Sequence, residues 1–253
     1  VADRDQIIRF CDEFLDVSAF GDYGPNGLQV PGAGQVAKVA TAVSAHLDSI
    51  RAAVDSGAQM LLVHHGLFWD FHPRALSEQM AARLKVALDA CLSIAGYHLP
   101  LDGHAEIGNN VLLCRMLGFE PEPGVLGDVK GTSVGAVGRR TEPVSMGELE
   151  ASVESRLGRK PLVFAEGPGQ VRNIGIVSGS ASSGIHAAIA LGLDAYMTGE
   201  PSEHVMADAS EGGINFIAAG HYATEVAGIR ELGDRVSAEF GLEHEFIHLP
   251  NPI

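Results

Sequence analysis

Cysteine is scarce in this 253-residue chain. The three that occur, Cys11, Cys91 and Cys114, lie far apart, with no CxxC among them. That excludes a disulfide framework and a structural zinc site of the cysteine type, and it suits a reducing, cytoplasmic compartment. Long apolar runs are also lacking. The N-terminal VADRDQIIRFCDEFL is charged and amphipathic, and no segment reaches membrane-spanning length, so no membrane association is expected. Basic residues are few: 17 Lys and Arg stand against 32 Asp and Glu, a formal net charge of −15. Such a surface repels polyphosphate backbones, which argues against direct nucleic-acid binding. A small anionic substrate would need positive charge supplied locally. Neither a P-loop nor an obvious basic cluster for a triphosphate is present; Arg139, Arg140, Arg156, Arg159 and Lys160 are candidates only if the fold brings them inward and otherwise read as solvated surface charges. What remains, 46% hydrophobic and 19% charged, is the composition of a soluble globular protein of one large or two modest domains.

The organising stretch is MLLVHHGLFW, Met60 to Trp69. Four apolar residues run into two adjacent histidines and then a glycine. This predicts a buried parallel strand that delivers His64 and His65 at its C-terminal end, where open α/β sheets place ligands. Successive side chains on a strand alternate faces, so for both imidazoles to reach one centre the chain should leave the sheet at His64–His65. Upstream, Lys38–Ser44 reads as a strand and Leu47–Ser56 as a helix closed by Gly57, completing a βαβ unit. Downstream come a helix over Ser77–Ala90, a strand over Leu92–Tyr97, and a loop that Pro100 keeps from regular helix, carrying His98, Asp102 and His104. The Pro- and Gly-rich residues 120–131 read as a domain boundary or a long connection. A helix over Met146–Leu157, a strand over Leu162–Ala165 and a terminal strand over Phe246–Leu249 are expected beyond it.

The second half repeats the first. Val39 to Gly66 aligns without a gap on Ile174 to Pro201, a constant numerical offset of 135, with Gly57 on Gly192 and His64–His65 on Gly199–Glu200. The expected fold is α/β, with two similar α/β domains of mixed or mostly parallel sheet and a pseudo-repeat at that offset. Residues 1–125 would carry His64, His65 and Asp102, and residues 126–253 would carry His221 and Glu225.

His221 and Glu225 stand four apart at the start of the last predicted helix, one turn apart on one face. Like His64, His65 and Asp102, they follow a predicted strand end. Three histidines and two carboxylates suit Zn, Mn, Fe, Co or Ni. Five such ligands exceed one open catalytic site but fit two divalent ions, with a carboxylate bridging and water at the open positions. Glu225 is expected to bridge, its side chain being longer than that of Asp102.

LLVHHGLFW, YGPNGLQV, YHLPLDGHAEIGNN, TGEPSEH, AAGHYATEVAGIREL and FIHLPNPI resemble the dinuclear-metal family of GTP cyclohydrolase 1 type 2 homologues, also called NIF-three-like. The resemblance spans the chain but is weak over residues 120–170. It implies two like α/β domains, a toroidal homohexamer, two divalent metals held by His64, His65, Asp102, His221 and Glu225, and His98 as a further histidine beside them. In a hydrolase His98 or His104 would carry protons, and His98, four residues before Asp102, is the catalytic choice. It also implies a metal-dependent hydrolase acting on a nucleotide or on a small cyclic amide or phosphorylated compound. The alternative is a metal-storage, metal-delivery or scaffold protein without turnover. His46, His72, His186, His204, His244 and His248 read as structural or solvated.

Overall fold

The computed structural model describes residues 1–253. The periodic segments form where their patterns place them: strands at Lys38–Ser44 and Leu162–Ala165 and the helix Met146–Leu157 have the expected bounds. The last of these starts from a capping box in which Ser145 and Glu148 each bind the other's backbone N–H.

Two compact units result. The first, Val1–Leu101 with Gly228–Leu249, holds a five-stranded sheet in the order Glu243–Phe246, Lys38–Ser44, Met60–His65, Ser93–Gly96, Gly27–Val30. The first four strands are parallel, and Gly27–Val30 closes one edge antiparallel. The second, Asp102–Ala227 with Pro250–Ile253, holds six strands in the order Leu162–Ala165, Asn215–Ala218, Ala195–Thr198, Gln170–Ile176, Ala136–Ser145, Glu120–Pro123. The run from Gln170–Ile176 through Ala195–Thr198 to Asn215–Ala218 is parallel, and the flanking strands are antiparallel. Each unit has its own apolar core, around Ile50, Leu61, Val63 and Ile94 in the first and around Leu149, Ile174, Met197 and Ile217 in the second. No helix is long and apolar enough to cross a membrane.

The internal repeat is visible in the pairing register. In the first unit Val39 pairs with Met60, Ala40 with Leu61 and Thr41 with Leu62. Adding 135 to every number gives Ile174 with Ala195, Gly175 with Tyr196 and Ile176 with Met197, which are the pairs in the second. The antiparallel edge strands Gly27–Val30 and Leu162–Ala165 start at the same offset. Gly57 and Gly192, at matching helix ends, both adopt positive φ, 78° and 66°.

Four expectations are corrected. The division falls at Leu101/Asp102, not near residue 125, so Asp102 belongs with the second unit; Gly228–Leu249 returns to the first because Glu243–Phe246 pairs parallel with Lys38–Thr41. That terminal strand is Glu243–Phe246, earlier than the expected Phe246–Leu249. Asp102 lies in a short helix, Leu99–Gly103, where Pro100 sits in the first turn and its missing N–H costs nothing. The last helix is broken: His221–Thr224 is a single turn, Glu225 follows at φ −117°, and the long helix Val226–Phe240 begins after it.

Candidate metal centre

In the first unit the strand Met60–His65 continues through both histidines. Pairing to Ser93–Gly96 ends at Val63, whereas pairing to Lys38–Ser44 runs on to His65, so the tip is held from one side. The two rings stand 4.7 Å apart, and His98 joins them at 5.1 Å from His64 and 5.6 Å from His65. The three offer donor atoms all within 4.8 Å of one another. His98 therefore lies among the histidines, with its ring edge-on to Trp69 at 5.0 Å, and not in an apolar pocket elsewhere.

The neighbours of these rings decide which nitrogens can serve a metal. His64 is fully buried, and its Nδ1 lies 3.0 Å from the Tyr97 carbonyl. A carbonyl only accepts, so Nδ1 carries the proton and Nε2 carries the lone pair. His98 Nδ1 lies 2.7 Å from Asp22 Oδ1, which assigns the same tautomer in the neutral ring. His65 Nδ1 meets Ser44 Oγ at 3.0 Å. Imidazoles oriented through one nitrogen by a carboxylate or carbonyl are the usual metal-ligand arrangement.

The turn of the YGPNGLQ motif builds this support. Asp22 Oδ2 accepts from the Leu99 N–H and from Asn26 Nδ2, and Asn26 Oδ1 accepts from the His98 N–H. Burial raises the Asp22 pKa, but the His98, Asn26 and Leu99 contacts outweigh it, and the carboxyl is held below its ordinary range. Gln29 Oε1 accepts from the Leu67 N–H, and a Cβ on Gly66 would lie 2.2 Å from Gln29 Nε2. Gly66 thus admits the glutamine that fixes the turn after the histidines.

In the second unit Asp102 is buried, and its Oδ1 accepts from Asn109 Nδ2 at 2.8 Å and Ser178 Oγ at 3.0 Å. Asn110 ties the same corner together by accepting the Ser178 N–H and donating to the Val134 carbonyl. Glu225 is 3% exposed. Its Oε2 stands 3.2 Å from His221 Nε2, and it offers a donor atom within 4.8 Å of one from Asp102. The break in the helix keeps His221 and Glu225 in contact while turning the chain into Val226–Phe240. Two glycines make the room. A Cβ on Gly179, at φ 67°, would lie 2.4 Å from Glu225 Oε1, and one on Gly199 would lie 2.7 Å from the His221 Cα.

Glu200 hydrogen-bonds to His221 Nδ1. Burial pulls the His221 pKa down, but the hydrogen bonds and charges of Glu225 and Glu200 overcome it and raise it to about 9. An ion bound at Nε2 would displace that proton, after which Glu200 would still orient the ring from Nδ1. Neither Asp22 nor Glu200 stands out in the sequence. Asp22 immediately precedes YGPNGLQV, and Glu200 lies in TGEPSEH as the repeat counterpart of His65, but a carboxylate that acts through another residue leaves no spacing of its own.

The basic residues also need correction. Arg159 is half-buried, not simply solvated: Nη1 donates to the Pro252 carbonyl at 2.8 Å, and a Cβ on Gly220, next to His221, would lie 2.4 Å from it. It borders a cavity of about 450 Å³ that Lys160, Glu200 and Ala218 also line, at the C-terminal ends of the parallel strands. Of the remaining histidines, His244 is held between Thr41 and Asp234, and His46 caps the helix Leu47–Asp55. Cys11 and Cys114 are buried, Cys91 is exposed, and all three are free.

The donor chemistry of both units fits borderline divalent ions: imidazole nitrogens oriented through Nδ1 in the first, and buried carboxylates beside an imidazole in the second. Comparison with known proteins gives the family. The Duf34/NIF3 (NGG1p interacting factor 3) family matches residues 2–252. A Pseudomonas aeruginosa protein named GTP cyclohydrolase 1 type 2 homolog is 43% identical over 246 residues, covering 97% of each chain. An Escherichia coli protein of the same name is 39% identical over 248 residues, covering 98% of each. Among solved structures, a structural-genomics protein, ybgI, described as of unknown function, gives a TM-score of 0.94 at 38% identity, and TTHA1606 from Thermus thermophilus gives 0.88 at 33%, each with full coverage of both chains. The chain belongs to the Duf34/NIF3 family.

Proposed function

We propose that the protein is a dinuclear metal-dependent hydrolase in which His64, His65, Asp102, His221 and Glu225 hold two divalent ions per chain. The observation that carries this reading is the state of the donors. His64, Asp102 and Glu225 are buried polar groups, and each half of the set is held by neighbours that orient it, the Tyr97 carbonyl, Ser178, Asn109 and Glu200. Two buried carboxylates with donor atoms within 4.8 Å of each other repel, and a divalent ion between them would offset that repulsion more fully than the His221 imidazolium beside Glu225 does. Divalent ions, when bound, would supply Lewis acidity toward a carbonyl or phosphoryl group and would activate water.

The chain's own residues supply the rest. His98 stands half-buried beside His64 and His65 with Asp22 on its Nδ1, so a proton taken at Nε2 would be stabilised by the carboxylate behind the ring. Arg159 and Lys160, on the cavity beside Glu200, offer positive charge to an anionic group, which the acidic chain otherwise lacks. The substrate class is a nucleotide or a small cyclic amide or phosphorylated compound, in keeping with the name that the relatives carry. A homohexameric ring acting in the cytoplasm completes the proposal; its support is the family resemblance alone, and sedimentation showing a fully active, metal-replete monomer would refute the ring.

The direct test is a panel of nucleotides, phosphate esters and cyclic amides presented to metal-loaded protein, with Asp102→Ala as the blank. Turnover by the wild type and none by the variant supports the hydrolase. Two tightly held ions with no turnover of any panel member would favour storage or delivery.

A further inference from the structure

One cluster lies outside the set described above. His186 is the second residue of the helix Ile185–Ala190, His204 immediately precedes the helix Val205–Gly212, and Asp208 lies one turn into it. His204 Nδ1 is 2.6 Å from Asp208 Oδ2, and His186 Nε2 is 3.6 Å from the same oxygen. The two rings are 10° from parallel with centroids 6.3 Å apart, and the three donor atoms all lie within 4.8 Å of one another.

We propose that His186, His204 and Asp208 form a separate surface site for one borderline divalent ion of the zinc, nickel or copper kind. In a tetrahedral site with metal–ligand bonds of about 2.0–2.1 Å, neighbouring donor atoms stand about 3.3 Å apart. The two contacts to Asp208 bracket that spacing, one shorter and one longer. Closing the set therefore needs shifts of about 1 Å in side chains, chiefly the two exposed imidazoles, and none in the backbone. Two imidazoles and one carboxylate make a donor set that borderline ions prefer over magnesium or calcium. The remaining position stays open to water.

The helices that carry the cluster are already fixed against each other. At their far ends, a Cβ on Gly212 would lie 2.4 Å from Ile189 Cδ1, so Gly212 is what lets the pair approach. His204 and Asp208 share a helix face at i and i+4, which leaves little side-chain freedom to be lost on binding. The arrangement is peculiar to the second unit. In the repeat alignment the place of His186 is taken in the first unit by Arg51, which faces Asp48 at 3.8 Å. An ion here would staple the two helices and stabilise the second unit without touching the other donors.

The test compares full-length wild type with His186→Arg, which installs the first unit's residue at an exposed position, and with His204→Ala. Each is dialysed against buffered free zinc from nanomolar to micromolar, and bound zinc is counted by mass spectrometry. Cobalt(II) loading and its visible absorption report the same site optically. The expected result is one ion per chain fewer in both variants across part of the range, with the remaining ions retained and melting temperature no longer rising with zinc over that range. Equal zinc content and equal cobalt spectra in all three proteins up to micromolar free metal would overturn the proposal. The comparison is read against wild type, so it stands whether or not the other donors hold two ions.

Discussion

At the residue scale the arrangement is one of paired roles: a donor and the group that orients it. His221 with Glu200 and Glu225 makes this measurable. Its pKa of about 9 in the folded metal-free chain lies above the ordinary 6.5. The pairing therefore contributes stability that is fully present below pH 6.5 and is lost as pH rises through about 9. Denaturant titrations of metal-stripped protein from about pH 6 to 10 should show that decline, and Glu200→Gln, which removes one of the two partners that raise the pKa, should move its upper end downward. A decline with the same midpoint in the variant would show that Glu200 does not hold the proton there. Asp22→Asn tests the other pair. It keeps the hydrogen-bond geometry to the Leu99 N–H but removes the charge behind His98, so turnover of a panel substrate should fall about 10–100-fold while metal content stays unchanged.

At the scale of elements, the βαβ unit recurs, and its core positions recur with it. Ile50 and Ile185, counterparts in the repeat, are both fully buried on the helix that crosses between parallel strands. Ile50→Ala and Ile185→Ala should each cost about 2–5 kcal/mol, read by denaturant unfolding. A cost confined to one of them would mean that the repeat is not shared in packing. The elements are legible because their signals are local. Apolar alternation at Lys38–Ser44, the apolar run before His64 and glycines after helices each act within a few residues. The differences arise where a longer-range contact decides. Glu243–Phe246 is a strand because Lys38–Thr41, near the other end of the chain, pairs with it, and no pattern within the C-terminal segment announces that. The break after Thr224 is hidden because His221 and Glu225 keep the i, i+4 spacing of an unbroken helix. Pro100 signals a helix breaker in the sequence, although the first turn tolerates it.

At the scale of the whole molecule, the groups that could hold a metal are legible from the sequence because such groups come from few residue types at strand ends. Their supports are not. Asp22, Ser178 and Glu200 act through hydrogen bonds to partners distant in sequence, so only the folded chain brings them into view. In the proposed centre two ions would be held with Glu225, beside both His221 and Asp102, as the indispensable carboxylate. Glu225→Gln preserves size and removes the charge. Metal counted by mass spectrometry, after dialysis against buffered free metal, should be two ions per chain for this set in the wild type and at most one in the variant, with the circular-dichroism spectrum unchanged. Two ions per chain retained at wild-type affinity by Glu225→Gln would show that Glu225 does not hold the pair together.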